Sequence, residues 1–143
     1  MKDYIEINGL KWDKENLVID DKELFTHDEA LKLAKSLNKR LPSFKEFKEL
    51  IETGSTYDKR KTGRWFGSDS NLLSKSKQSI FLPAAGERLC KDSIEYSKGY
   101  LGYYWSSKIN YPYARYMYFS SSNVLAYYRN NRANGMSVRL INI

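Results

Sequence analysis

One cysteine, one histidine and three prolines stand in this chain of 143 residues, and each scarcity removes a class of explanation. Cys90 on its own forms no intramolecular disulfide, so a disulfide framework is excluded and the apolar core has to carry the fold. His27 on its own leaves imidazole-rich zinc sites and Ser-His-Asp triads without material. No apolar run approaches the roughly 20 residues of a membrane-spanning helix. The sharpest absence is local: residues 96–143 contain no Asp or Glu, whereas residues 1–95 contain all 17. Carboxylate-driven acid-base catalysis and calcium ligation therefore have no carrier in that tail.

What the tail does hold is ten of the twelve tyrosines and six Lys or Arg. Residues 1–95 carry 18 basic against 17 acidic side chains, so nearly all of the net charge of +7 falls after residue 95. Tyr and Arg give large contact area at low entropic cost and concentrate where proteins recognise other molecules. A cationic, aromatic surface favours anionic partners, although scattered basic residues also serve as a solubilising surface. At 41% hydrophobic, the length fits a single domain over residues 1–143.

Tyr4-Ile5-Glu6-Ile7 alternates as a strand, and Asn8-Gly9 signals a tight hairpin turn into Leu10-Lys11-Trp12. Thr26 and Glu29 have capping-box spacing ahead of a helical face of Ala30, Leu33, Ala34 and Leu37; His27, inside the box, is expected to be solvated. Ser43 and Glu46 repeat the pattern ahead of Phe47, Leu50 and Ile51. Residues 54–79 are expected to be loop, anchored by Trp65-Phe66. Strands are expected at residues 79–82, 102–106, 113–119 and 136–140, with a weaker one at 123–128. In residues 113–119, alternation sets Arg115, Met117 and Phe119 on a core face and Ala114, Tyr116 and Tyr118 on an outward one. Packing of those tyrosines across strands is the competing reading.

Three runs share a wording: Ile80-Phe81-Leu82-Pro83-Ala84-Ala85-Gly86, Gly102-Tyr103-Tyr104-Trp105-Ser106-Ser107, and Arg132-Ala133-Asn134-Gly135-Met136-Ser137-Val138-Arg139. Together with Ala114, Met117 and Phe119, they resemble the Fibrobacter succinogenes major paralogous domain. Ile7-Asn8-Gly9-Leu10-Lys11-Trp12 and Lys39-Arg40-Leu41-Pro42-Ser43 resemble its opening segments, so the resemblance spans nearly the whole chain. It implies an α+β, C-type lectin-like fold, with two helices flanking small antiparallel sheets and long loops presenting a ligand.

Within that group the chain is most similar to variable proteins diversified by retroelements in phages and gut bacteria, with a variable region here of about residues 103–139. The resemblance marks Lys108, Ile109, Asn110, Tyr111, Tyr113, Arg115, Tyr116, Tyr118, Leu125, Tyr127, Tyr128 and Arg129 as ligand-facing. It marks Trp105, Met117, Phe119, Gly135, Met136, Val138 and Leu140 as fixed scaffold. Tyr116, Tyr118, Tyr127 and Tyr128 are expected to form one patch with Arg129 at its edge.

The implied function is non-catalytic binding of a surface glycan, envelope polymer or protein, without cofactor or metal. The related formylglycine-generating enzyme needs paired cysteines, and Cys90, flanked by Arg88 and Lys91, is expected to be buried as a small hydrophobe. The Glu-Pro-Asn and Gln-Pro-Asp signatures of calcium-dependent lectins are absent, and Asp69 alone is a weak cation signal. Two alternatives stay open: an assembly component of a phage particle or surface complex, including a homo-oligomer, and a single-strand nucleic-acid binder using Tyr and Arg. The opening residues lack a signal-peptide pattern. A phage particle, the cytoplasm, or export by a signal outside this chain are the corresponding locations.

Overall fold

The computed structural model describes residues 2–143, apart from the side chain of Tyr127. Among the described residues it is a mixed α+β structure of two helices and several small antiparallel sheets. Asn8 and Gly9 take φ of 54° and 75°, the geometry of a twist-matched hairpin turn. Across that turn β1 (Tyr4–Ile7) pairs with β2 (Leu10–Asp13).

Helix α1 (His27–Ser36) and helix α2 (Phe44–Glu52) both begin with complete capping boxes, on Thr26/Glu29 and Ser43/Glu46. In each, the cap hydroxyl accepts from the N3 amide and the glutamate accepts in return from the cap amide. Glu46 is also gripped by both guanidinium nitrogens of Arg40 at 2.7 Å, which ties α2 to β3 (Lys39–Arg40). Leu37, expected on the buried face of α1, is instead its exposed C-cap.

Residues 54–79 correct the expectation of loop, because β4 (Ser55–Asp58) and β5 (Gly63–Phe66) form a hairpin that β6 (Ile80–Pro83) extends to three strands. The turn is held by Asp58, whose Oδ1 accepts from the amides of Arg60 and Lys61 at 3.0 and 3.2 Å. A small pair, β7 (Glu87–Arg88) and β8 (Glu95–Tyr96), precedes the largest ladder, a meander of β9 (Gly102–Asn110), β10 (Tyr113–Phe119) and β11 (Val124–Asn131). Gly102 opens the meander opposite Phe119 because a Cβ there would lie 2.2 Å from the Phe119 ring.

The expected strand at 136–140 is an extended segment without a ladder of its own. It makes single bridges, Met136 to Phe25 and Ser137 to Tyr104, because its neighbour changes at nearly every residue. β12 (Ile141–Asn142) then runs between β2 and β3. Backbone bonds from Asp13 to Leu140 and from Leu17 to Val138, at 2.9 and 2.8 Å, lay the opening hairpin and its continuation beside the C-terminal segment.

The β9–β11 meander is covered on both sides. Tyr104, Met117, Phe119 and Ala126 join a cluster with Phe47 and Leu50 of α2 and with Phe66, Ile80 and Leu82 of the second sheet. Trp105, Ala114 and Tyr116 join another with Phe25, Ala30 and Ala34 around α1, and with Met136, Val138 and Leu140. No helix among the described residues is long and apolar enough to cross a membrane.

Candidate recognition surface

Alternation along β9 and β10 sends Tyr103, Trp105, Tyr116 and Tyr118 out of one face of the meander, and cross-strand pairing of Tyr116 with Tyr128 adds a third strand. Their rings form a continuous set. Tyr103 lies 5.7 and 5.5 Å from Tyr116 and Tyr118, and Tyr128 lies 6.0 and 5.9 Å from the same two, within the range of favourable aromatic pairs. Trp105 supports Tyr116 edge-on at 6.3 Å and donates its indole N–H to the Phe25 carbonyl at 2.7 Å. The aromatic face is thereby anchored to the segment that enters α1.

Accessibility grades outward across this set. Tyr116, expected to face a ligand, is only 8% exposed, because Trp105 beneath it and the Tyr103 and Tyr128 rings beside it enclose it. Tyr103, Tyr118 and Leu125 are half-buried and Tyr128 is exposed. The side chain of Tyr127 lies outside the described residues. The surface within reach is thus Tyr128, Tyr118 and Tyr103, with Leu125 paired opposite Tyr118.

The turn end of the meander forms a second zone, where Lys108, Ile109, Tyr111 and Tyr113 are exposed and Asn110 is half-buried. Its cations rest on rings: Arg129 is 5.4 Å from the centre of Tyr113, Arg132 is 5.9 Å from Tyr111, and Arg115 is 5.4 Å from Phe44. Arg115 is half-buried against the start of α2, the side that alternation gives it. Arg129 pairs with Arg115 across the ladder, so it leaves the sheet on the side opposite Tyr116 and Tyr128 and does not edge their patch.

Sequence reading passed over Tyr103 and Glu87. Tyr103 belongs to the patch only because β9 registers Tyr103 against Tyr118, a pairing that no local signal sets. Glu87 comes from β7, outside the carboxylate-free tail, and lies among these tyrosines. Burial raises its pKa above the ordinary glutamate value, an effect partly offset by the Tyr103 hydroxyl. Its Oε1 is buried with no hydrogen-bond partner among the described residues. Burial, and then the charge of Glu87, push the Tyr116 phenol up to about 12. Tyr103, whose phenol is raised in the same way by burial and by Glu87, and Tyr116 therefore stay neutral throughout the physiological range.

His27 corrects the expectation of a solvated side chain: it is fully buried, edge-on to Trp105 at 5.1 Å. Its Nε2 donates to the Ser106 carbonyl at 2.7 Å, leaving Nδ1 as an acceptor with no partner among the described residues. Burial lowers its pKa, with Arg132 adding to that effect. Cys90, expected to be buried, is exposed in the short turn between β7 and β8. Among the described residues no three His, Cys, Asp or Glu side chains converge as a metal site. The arrangement offers aromatic faces, phenol hydroxyls and guanidiniums, groups that suit binding.

Comparison with protein-family models, with curated proteins and with solved structures finds no match.

Proposed function

We propose that this chain is a non-catalytic recognition protein with a C-type lectin-like fold, binding a surface glycan, envelope polymer or protein ligand through the β9–β11 meander. The observation that carries the reading is the graded tyrosine cluster: outer rings reach solvent while inner ones are fixed on Trp105. Such a surface loses little side-chain freedom on binding, which is what makes aromatic anchors effective. The turn-end guanidiniums and Lys108 add a preference for acidic ligands.

The division between exchangeable and fixed positions supports the same reading. Trp105, Met117 and Phe119 are fully buried on β9 and β10, whereas Tyr113 and Tyr128 on β10 and β11, and Tyr111 in the β9–β10 turn, reach solvent. A sheet whose inward residues hold the fold tolerates replacement of its outward ones, which is the property a diversified binding protein needs.

The test is a glycan and cell-envelope array probed with the parent, Tyr128→Ala and Met117→Ala, alongside thermal melts. Tyr128→Ala is expected to weaken binding by about 2 kcal/mol, the scale of an aromatic hot spot, while melting close to the parent. Met117→Ala is expected to destabilise the fold by about 2 to 5 kcal/mol through a core cavity. Binding should be the same in excess chelator. A Tyr128→Ala protein that melts early and binds as the parent does would make the patch core and overturn the reading.

A further inference from the structure

On the outer face of the β4–β5–β6 sheet, Trp65 and Phe81 are register partners, with ring centres 5.1 Å apart. They floor a cleft of about 370 Å³ that shares no residue with the tyrosine surface. Ile5 and Pro83 continue the apolar floor, and Lys14, Lys61, Lys75 and Lys77 line it against a single acid, Glu15. None of these four ammoniums is within ion-pair distance of a carboxylate among the described residues.

The cleft is built rather than incidental. Asp58 fixes two of its lining residues at once: its Oδ2 accepts the Trp65 indole N–H at 2.9 Å, and its Oδ1 takes the amides of Lys61 and of the neighbouring Arg60. That turn sets the Lys61 ammonium 4.9 Å above the Trp65 ring and 4.8 Å above Phe81. The opposite wall is a closed loop in which Ser79 Oγ donates to the Ser74 carbonyl at 2.9 Å and meets Ser76 Oγ at 3.0 Å. Lys75 and Lys77 project from that loop.

We propose that this cleft is a second binding site, for a small aromatic carboxylate. A planar ring matches the Phe81, Pro83 and Ile5 floor, and the volume admits one or two fused rings. An acid group at the ring's edge meets Lys61, Lys75 and Lys77, where surplus positive charge over apolar surface favours an anion and disfavours a cation.

The probe is 2-naphthoate, with 2-naphthamide as its uncharged counterpart, titrated into the full chain and followed by the Trp65 indole N–H resonance in an assigned spectrum. Naphthoate is expected to shift that resonance saturably and to bind at least tenfold more tightly than the amide. The double variant Lys61→Ala, Lys77→Ala should lose about tenfold in naphthoate affinity while melting as the parent does, and Tyr128→Ala should bind naphthoate unchanged. Equal affinity for acid and amide, full affinity in the double variant, or no saturable shift at Trp65 would overturn the proposal. Loss of naphthoate binding in Tyr128→Ala would transfer the site to the meander and overturn it as well.

Discussion

Glu87 and His27 are both withdrawn from water and answer pH in opposite senses. The pKa of Glu87 is raised by burial, so the folded state holds its proton more tightly than the unfolded chain. Its favourable contribution is complete below the unfolded value near 4.5 and is lost as pH rises through the folded one. The pKa of His27 is lowered, so its contribution is complete above about 6.5 and is lost as pH falls through its folded value. A charge on Glu87 is therefore a liability, held beside tyrosine rings with Oε1 unpartnered among the described residues. Glu87→Gln keeps the shape and removes the charge. It is expected to melt above the parent at pH 7, with the gap closing towards pH 4. A variant that melts below the parent at pH 7 would mean that Glu87 is held by contacts worth more than its desolvation.

At the scale of elements, legibility followed the range of the signal. The Asn8-Gly9 turn and both capping boxes act over four residues or fewer, and each stands where the sequence sets it. The β4–β5 hairpin escaped notice because Ser55, Thr56, Asp58 and Arg64 read as polar loop, while its ladder depends on Trp65 and Phe66 meeting Phe81 and Ile80. Alternation gave the faces of β10 correctly, with Met117 and Phe119 inward. It could not say that Trp105 and α1 cover part of the other face as well, which is why Tyr116 is enclosed. Irregular register between Tyr116 and Tyr118, against β11, likewise leaves no local trace. Gly102 tests how tightly that meander is specified. Its missing Cβ makes room for a ring that is itself fully buried, so Gly102→Ala is expected to cost about 1 to 3 kcal/mol through overpacking. Denaturant unfolding that matches the parent would show that Phe119 has space to retreat.

Across the whole molecule, charge distributes differently in space than along the chain. The nearly balanced first 95 residues gather four lysines around one cleft, and the tail without carboxylates receives Glu87 among its tyrosines. The segments that do this are tied together by Arg139, which is 1% exposed. Its Nε donates to Asn16 Oδ1 at 2.9 Å, and its two terminal nitrogens donate to the carbonyls of Asp13 and Phe81 at 3.2 and 2.6 Å. One guanidinium thereby fastens the chain after the opening hairpin, the middle sheet and the C-terminal segment. Burial lowers its pKa, opposed by the charges of Tyr104, Glu15 and Asp13, and the groups bonded to it are these three neutral acceptors. Replacing a buried charge by an apolar side chain is sometimes favourable, but here it would strand two part-buried carbonyls and an amide oxygen. Arg139→Met is expected to destabilise the fold by about 3 to 5 kcal/mol, and Arg139→Lys to recover only part of that, since a single ammonium does not reproduce the planar fork. Chemical denaturation of the three proteins decides the matter: a methionine variant as stable as the parent would show that the clasp is dispensable and that packing alone holds the ends of the chain together.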